Sequence, residues 1–349
     1  MQFLQSYYES FISFAQNVLS SPLDPKNRIY FLYLASSVLI AFPIYLKARK
    51  KTGSGEGEKS FVGFLFPKKV WKHPSAWLDV RYFFFHMLIG HFLLLGLAGF
   101  STLEAFRFVT GGAGLIETAQ VNPFTGWGAI AAAFGFMVVA MTCSDFISFY
   151  VHYLQHKIPV LWQFHKVHHS AEVMHPLSNF REHPVDNLFY MAANGVIYGV
   201  TAGVWFNVFG FVPNMPTLLG VPLLMFLFNF VGYNLRHSHI WLRWPGVWSK
   251  VFPSPAHHHV HHSCHPDHLD KNFAFMFPVW DVLFGTYAMP EDNRDVKFGV
   301  TEKDRGHELN SCLKLYFVPV KDAMRVLTNR KRADSKERQP KPDRRHPAE

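Results

Sequence analysis

Two separated runs of histidine hold the residues in this sequence that are best suited to chemistry. The first run, at positions 150–170, contains His152, His156, His165, His168 and His169. The second run repeats the H-x-x-H-H spacing of the first with His258, His261 and His262. On a helix, residues three and four apart share a face, so each run can direct several imidazoles at one point. Neutral imidazole is a common ligand of iron, copper, nickel and zinc, and the pattern therefore predicts a metal site.

The number of histidines predicts two metal ions rather than one. Neighbouring residues on a helix point about 100° apart, so His168 and His169 are divided more naturally between two ions. With His237, which lies between the two runs in RHSHIWL, the candidate ligands number nine. Nine ligands are too many for one tetrahedral ion and suit two ions with about four to six ligands each.

Asp145 lies two turns before His152 on the same predicted helix. One interpretation is that its carboxylate accepts a hydrogen bond from a ligand imidazole and fixes the tautomer of that imidazole. The alternative is that it accepts hydrogen bonds from N–H groups of a neighbouring segment. Six further histidines surround the motifs without sharing their spacing, and we expect them not to bind metal: His175, His239, His257, His259, His265 and His268.

The composition is that of an integral membrane protein with a sizeable aqueous part. Of 349 residues, 49% are hydrophobic, 36 are phenylalanine and only 17% are charged, which is too apolar for a typical soluble enzyme. The three cysteines lack C-x-x-C spacing, so we expect no disulfide framework and a reducing, cytoplasmic environment. The net charge is +9, but the basic residues lie at positions typical of membrane proteins, so we expect no nucleic-acid partner.

The apolar runs predict an all-α, integral membrane helical bundle of four to five spans with a cytoplasmic, histidine-rich helical cap. Residues 1–28 are expected to form an interfacial amphipathic helix. Residues 29–151 hold three predicted spans, at 29–46, 82–100 and 126–150. Residues 152–187 and 233–290 form the predicted cap, 188–232 a transmembrane hairpin, and 291–349 a C-terminal segment with a basic tail, disordered from Thr328.

The positive-inside rule gives this layout an orientation. Residues 47–81 contain nine lysines and arginines, whereas residues 101–125 contain only Arg107. Because basic loops stay on the cytoplasmic side, the third predicted span returns to the cytoplasm where the first histidines begin. The predicted hairpin then brings the second histidine run to that same side.

Four motifs resemble the fatty acid hydroxylase superfamily: DFISFYVHYLQHKIPVLWQFHKVHHS, NFREHPVDN, SPAHHHVHHS and DKNFAFMFPVWDVLFGTY. The resemblance runs from about Asp145 to Tyr287. It implies a membrane enzyme whose histidine-bound di-iron centre uses O2 to attack an unactivated C–H bond. Matched motif by motif, the implied ligands are His152, His156, His165, His168, His169, His237, His258, His261 and His262. His183, in R-x-H-P, matches a position found in many members and is a tenth candidate.

The resemblance also implies partners and a reaction class. The expected reaction is hydroxylation or desaturation of a membrane lipid (sterol or acyl lipid), of the sterol desaturase type, with a fatty-acyl or ether-lipid monooxygenase of the same family as the alternative. Because the sequence shows no dinucleotide or haem motif, electrons are expected from a cytochrome b5-type or ferredoxin-type donor. The implied location is the bacterial inner membrane or the endoplasmic reticulum. A hypothesis of another class is a histidine-rich metal transporter or metal-buffering membrane protein.

Overall fold

The computed structural model describes residues 2–56, 60–91, 94, 96–118 and 123–337, and these are helical apart from loops and one two-stranded hairpin. The prediction of an all-α membrane-type protein is confirmed. The first eight helices are α1 (Gln2–Leu19), α2 (Phe31–Glu56), α3 (Phe61–Leu65), α4 (Lys68–Trp71), α5 (Pro74–Phe85), α6 (Leu97–Thr110), α7 (Leu115–Thr118) and α8 (Gly126–Lys157). A π-helical turn, His86–His91, follows α5 directly.

The remaining elements are α9 (Pro159–His169), α10 (Pro184–Phe209), β1 (Thr217–Leu218), β2 (Val221–Pro222), α11 (Leu223–Phe230), α12 (Trp248–Val251), α13 (Pro255–His261), α14 (Val279–Phe284) and α15 (Cys312–Glu337). Short 3-10 turns lie at Ser21–Leu23, Pro176–Phe180, Tyr233–Leu235, Pro266–His268, Pro290–Asp292, Glu302–Asp304 and Gly306–Glu308. Strands β1 and β2 pair antiparallel, with Leu218 opposite Val221.

Among the described residues, three helices are long and apolar enough to cross a membrane: α2 over Phe31–Lys50, α8 and α10. Helix α8 has 32 residues and is therefore about 48 Å long at 1.5 Å per residue. The hydrocarbon core of a bilayer is about 30 Å thick, so α8 is long enough to extend beyond it. Its last two turns carry His152 and His156.

The predicted second span, residues 82–100, does not form one helix. Helix α5 ends at Phe85, the π-helical turn follows, and α6 begins only at Leu97, after Gly96 in the left-handed conformation with φ of 88°. Glycine adopts this conformation without steric cost, and a new helix direction can start there. Residues 92, 93 and 95 lie outside the described part of the chain.

The predicted hairpin of two spans at 188–232 is only half present. Its first arm is α10, which ends at Gly210 in a left-handed cap with φ of 80°. The second arm contains β1, β2 and the eight-residue helix α11, which is about 12 Å long and too short to span. Pro213, Pro216 and Pro222 divide this apolar run, because proline cannot continue a helix from within.

Helices α6 and α10 approach each other closely through a row of glycines. Gly195, Gly199 and Gly203 are four apart on α10, and each faces α6. A Cβ atom at Gly203 would lie 2.8 Å from the Cβ of Val109, so a larger residue there would separate the helices. Small residues spaced four apart permit this contact between helices in membranes.

The predicted disorder from Thr328 is wrong for the first ten residues of the tail. Helix α15 continues to Glu337, and residues 338–349 lie outside the described part of the chain. The helix packs on α9, where the buried Lys166 ammonium lies 2.8 Å from the Asp322 carboxylate. This contact anchors the part of α15 that precedes Thr328.

Candidate metal centre

The nine predicted histidines lie on four elements that meet at the end of α8. His152 and His156 occupy the last turns of α8, and α9 begins immediately afterwards with Pro159 at its first position. Helix α13 begins in the same way, with Pro255 at its first position and a capping box between Ser254 and His257. Proline fits the first turn of a helix because no partner is required there for its missing N–H. His237 follows the 3-10 turn Tyr233–Leu235.

These side chains form two groups. The first histidine group consists of His152, His156, His165, His169 and His261. The second histidine group consists of His168, His237, His258 and His262. In each group every residue offers one ring nitrogen, and these nitrogens lie within 4.8 Å of one another.

Each H-x-x-H-H motif contributes to both groups. The pair His165 and His169 belongs to the first group, while His168 belongs to the second. In the other motif the assignment is reversed, since His258 and His262 belong to the second group and His261 to the first. Adjacent histidines are thus divided between the two groups, as their separation of about 100° on a helix predicts. Binding of metal by these residues stays a prediction.

The outer ring nitrogens of several of these histidines face hydrogen-bond acceptors. Nδ1 of His152 lies 3.0 Å from the carbonyl oxygen of Phe273, and Nδ1 of His261 lies 2.9 Å from that of Lys271. A carbonyl oxygen only accepts, so each of these nitrogens carries the proton. The opposite nitrogen, Nε2, must then present a lone pair in the neutral ring.

These lone pairs are buried without a donor. Nε2 of His152, His165 and His261 has no hydrogen-bond partner and almost no exposed surface. In the second group, Nε2 of His258 lies 2.9 Å from Nε2 of His237 and 3.0 Å from Nε2 of His262. An orphaned buried acceptor costs about 1–3 kcal/mol, and bound metal ions would satisfy all of these nitrogens at once. The residues present therefore fit two metal ions.

Burial also fixes the charge of the rings. It lowers the pKa of His165, His169, His261 and His262 well below the usual value, and neighbouring imidazoles lower it further. The neutral form is the one that binds metal, so no proton has to be displaced at neutral pH. Both groups lack carboxylates, and an all-imidazole set suits iron, copper, nickel or zinc rather than magnesium or calcium.

Side chains outside the histidine motifs face Nδ1 of several candidate ligand rings. In the first group, Nδ1 of His165 lies 3.2 Å from a carboxylate oxygen of Asp186, and Nδ1 of His156 lies 3.6 Å from Asp270. In the second group, Nδ1 of His237 lies 2.9 Å from the hydroxyl of Ser178. Sequence reasoning missed these residues. Asp186 stands in the quoted motif NFREHPVDN, but only the fold shows which ring its carboxylate faces.

The proposed contact of Asp145 with a ligand imidazole is wrong. Its carboxylate accepts hydrogen bonds from the backbone N–H of Met276 at 2.8 Å, the backbone N–H of Phe277 at 3.1 Å, and Nε1 of Trp280 at 2.8 Å. The alternative was the better interpretation, since Asp145 fixes the segment before α14 against α8. Asp186 has the role that was predicted for Asp145.

His183 is not in either histidine group, which corrects its prediction as a tenth ligand. Its Nδ1 accepts a hydrogen bond from the backbone N–H of Val185 at 3.1 Å and thereby caps α10. Its Nε2 donates to the carbonyl of Tyr316 at 3.0 Å. Both ring nitrogens are therefore used in structural hydrogen bonds.

The surplus histidines next to the motifs also have structural partners. Nδ1 of His257 accepts from the backbone N–H of Ser254 at 3.0 Å, in the capping box of α13. Nε2 of His259 donates to the carbonyl of Leu235 at 3.2 Å, and Nε2 of His239 lies 2.7 Å from the carbonyl of Phe64. None of the three belongs to the two histidine groups, and the register is that of the H-x-x-H-H spacing. His265 and His268 form a separate, partly exposed cluster with Asp295.

This arrangement coincides with a region that matches a known protein family. Residues 137–286 match the family model of the fatty acid hydroxylases, and this region contains all nine histidines. This region of the chain is therefore similar to the fatty acid hydroxylase superfamily. The resemblance inferred from the four motifs is therefore confirmed.

Curated relatives come from several organisms. An alkylglycerol monooxygenase of Danio rerio is 27% identical over 174 residues, which are 48% of this chain and 34% of that protein. Ornithine lipid hydroxylase OlsE of Rhizobium tropici is 28% identical over 172 residues, 48% of this chain and 46% of that protein. A cholesterol 25-hydroxylase-like protein of Danio rerio is 31% identical over 153 residues, 41% of this chain and 51% of that protein. The chain thus spans about half or less of these relatives, and no solved structure matches it.

Proposed function

We propose that the chain is a membrane-bound, O2-dependent lipid monooxygenase whose nine histidines hold two iron ions. The observation that carries this proposal is the pair of adjacent, buried, all-imidazole groups whose free ring nitrogens point inward. The first histidine group would hold one ion and the second histidine group the other. Bound iron supplies the redox chemistry for O2 activation, which zinc lacks.

The protein's own contribution is to fix the ligand rings and to exclude water. The carbonyls of Phe273, Lys271 and Arg181 accept from Nδ1 of His152, His261 and His168 at distances between 2.9 and 3.3 Å. These hydrogen bonds hold each ring in the tautomer that binds metal through Nε2. Arg181 is itself buried and pairs with Asp79, so its carbonyl is held in place.

An apolar cavity beside the second histidine group is suited to a lipid chain. It has a volume of about 490 Å³ and is lined mainly by aliphatic and aromatic side chains. Leu235 and Ser238, which flank His237, are part of its lining. Ligand pockets commonly measure about 300–1,000 Å³, so this cavity is large enough for an acyl or alkyl chain. A lipid held there would present a C–H bond near the metal centre, with the geometry set by the cavity.

The names of the relatives favour one of the two expected reactions. Two of them are named for hydroxylation or monooxygenation of alkylglycerol and ornithine lipid, which favours insertion of oxygen over desaturation. One oxygen atom of O2 would enter the C–H bond of the lipid to give an alcohol. The other oxygen atom would be reduced to water, which consumes two electrons from the donor and two protons. A glycerol ether lipid or an acyl amino-acid lipid is the preferred substrate class, with a sterol as the alternative.

The electrons would come from an external cytochrome b5-type or ferredoxin-type protein. The basic segment 47–81 lies against the region of the second histidine group, since the carbonyl of Phe64 lies 2.7 Å from Nε2 of His239. Basic segments stay on the cytoplasmic side, which supports a cytoplasmic metal centre where such donors are available. Lys271, whose carbonyl contacts His261, is a basic residue close to the first histidine group, whereas the ammonium of Lys157 pairs with Asp270 at 2.6 Å. An acidic donor would complement the charge of Lys271.

The experiment is lipid oxidation by the purified full chain in lipid nanodiscs, with a reductant and ¹⁸O2. We expect about two iron ions per chain and one ¹⁸O atom in the product when alkylglycerol, ornithine-lipid and sterol substrates are compared. His168→Ala and His261→Ala should abolish the product. His307→Ala, which removes an exposed histidine outside the metal centre, is the matched control and should leave it unchanged.

A metal transporter or metal buffer would give a different result. Transport ligands commonly lie near the middle of the membrane, whereas these histidines lie at the end of the spanning helix α8. Iron-loaded protein that forms no oxidised lipid with any substrate class, and whose metal exchanges freely, would contradict the proposed monooxygenase.

A further inference from the structure

Helix α15 has an exposed apolar stripe that the described chain does not cover. The stripe consists of Leu313, Phe317, Val320, Met324 and Leu327, which are 59%, 67%, 44%, 59% and 43% exposed. Their spacing of four, three, four and three residues places them within about 80° of helix circumference. Large side chains with this exposure in a single row are typical of a surface that contacts lipid or another protein.

The opposite face of α15 is firmly packed, so the stripe is not the result of an undocked helix. Leu315 is completely buried against Leu78 and Tyr82 of α5. The hydroxyl of Tyr316 lies 2.9 Å from Nδ1 of His86. Asp322 is buried and pairs with Lys166 of α9. These contacts fix the rotation of the helix and direct the apolar stripe outward.

A row of basic residues runs beside the stripe. Lys314 and Lys321 are exposed and lie about 80–100° around the helix from the centre of the stripe. Arg325 continues the row at about 120°, with its guanidinium 3.3 Å from Asp322. The only acid between residues 312 and 329 is Asp322, which is buried. The sequence continues with eight lysines and arginines between residues 330 and 345, against three acids. The exposed surface of α15 is thus apolar along one row and cationic along the next.

We propose that α15 lies on the surface of the bilayer, with its apolar stripe in the acyl-chain boundary and its basic row on anionic headgroups. This combination of an apolar face and an adjoining basic face is typical of helices that bind the membrane interface. A contact with the start of α10 places α15 at the level of the membrane surface. Nε2 of His183 donates to the Tyr316 carbonyl, and His183 directly precedes the membrane-spanning helix α10. The first half of α15 therefore lies at the level where α10 begins.

A second copy of the chain is a less suitable partner for the stripe. The alternating spacing of four and three residues also occurs in coiled coils, where charged residues beside the seam select the partner. Here the flanking positions carry Lys314 and Lys321 and no acid, so two copies would place like charges together. Anionic lipid headgroups neutralise this row instead.

The test uses bimane, a fluorophore attached to single cysteines in the full-length chain in vesicles. In a background with Cys143, Cys264 and Cys312 changed to serine, cysteine replaces Phe317 or Met324 in the stripe. It replaces Lys321 in the basic row as the matched control. Brominated acyl chains quench bimane in the membrane, and iodide quenches it in water. Vesicles contain phosphatidylcholine alone or with phosphatidylglycerol.

We expect strong quenching by brominated lipid and weak quenching by iodide at positions 317 and 324, with the reverse at position 321. Phosphatidylglycerol should strengthen quenching by brominated lipid about twofold or more, and Lys314→Glu with Lys321→Glu should remove that gain. Equal iodide quenching at all three positions would overturn the proposal. Protection of positions 317 and 324 from both quenchers, with crosslinking between chains, would also overturn it and assign the stripe to a second copy. The outcome does not depend on metal or lipid oxidation.

Discussion

Nδ1 of His165 faces the carboxylate of Asp186 at 3.2 Å, and the second oxygen of that carboxylate accepts a hydrogen bond from Gln155 at 3.1 Å. His165 is on α9, Asp186 is in the first turn of α10 and Gln155 is near the end of α8. One buried carboxylate therefore connects a candidate metal ligand to two helices that are long enough to span the membrane. Movement of these helices against each other would displace the ligand ring.

Asp186→Asn should weaken metal binding by the first histidine group by about 10- to 100-fold, because the ring loses the carboxyl partner that fixes its tautomer. Competition with an iron chelator measures the loss. Asp145→Asn is the matched control, since this buried carboxylate contacts neither histidine group. It should cost about 1–3 kcal/mol of stability and leave the affinity for iron unchanged. Equal affinities in Asp186→Asn and the unmodified chain would contradict the assigned role.

Removal of one ligand should remove about one metal ion rather than two. His165→Ala affects only the first histidine group and His237→Ala only the second, because the groups share no residue. We expect iron content to fall from about two ions to about one in each variant, and to near zero when both are combined. Elemental analysis with Mössbauer spectroscopy separates the two sites. Full iron content in either single variant would contradict two separate ligand sets.

The backbone conformation of Asn272 should affect how firmly the first histidine group holds iron, because it positions two carbonyls that accept hydrogen bonds from the rings of that group. Its φ is 56°, and its side-chain amide bonds with the backbone of Ala288 at 2.8 and 2.9 Å. This holds the neighbouring carbonyls of Lys271 and Phe273 against His261 and His152. Asn272→Gly keeps the conformation but loses the amide, whereas Asn272→Ala also adds about 1–2 kcal/mol of backbone strain.

Iron should therefore leave the first histidine group faster in both Asn272 variants, and fastest in Asn272→Ala. Chelator-induced loss, followed by absorption spectroscopy, provides the measurement. Unchanged release rates in Asn272→Ala, in a chain that still folds and holds two ions, would show that the loop does not position the ligands.

His183→Asn should preserve the stability of the protein better than His183→Ala. Asparagine is a good N-cap and can replace the hydrogen bond to the N–H of Val185, whereas alanine loses it at a cost of about 1 kcal/mol. Neither change should reduce iron content, which elemental analysis and thermal unfolding would establish together. Loss of one iron ion in His183→Asn would reinstate His183 as a ligand.

The metal-free protein should lose stability as the pH falls below about 6.5. Burial lowers the pKa of His257 to about 3 and of His259 to about 4, from an ordinary value of 6.5. Because these folded-state values are lower than the unfolded-state value, the unfolded chain binds protons first as the pH falls. Stability is thus complete above about pH 6.5 and declines towards pH 4. His259→Gln should reduce this slope in thermal unfolding of the metal-free protein, and an unchanged slope would exclude His259 as a contributor.

The sequence by itself determined the all-α membrane character, the resemblance to the fatty acid hydroxylases and the nine clustered histidines. It also determined that adjacent histidines serve different groups, because the angle between neighbours on a helix is a local property. The sequence did not determine features that depend on contacts between distant segments. These are the broken second span, the short helix α11, and the contact of a candidate ligand ring with Asp186 rather than Asp145.

His183 illustrates the same limit, since its motif position resembles that of a ligand. Its ring caps α10 and donates to the carbonyl of Tyr316 instead. Sequence spacing specifies which side chains share a helix face, but the direction of each ring nitrogen is set by the acceptors that other helices place around it. Only the tertiary structure brings those acceptors together, and for that reason it alone decided which nitrogen of each ring faces the two candidate metal sites.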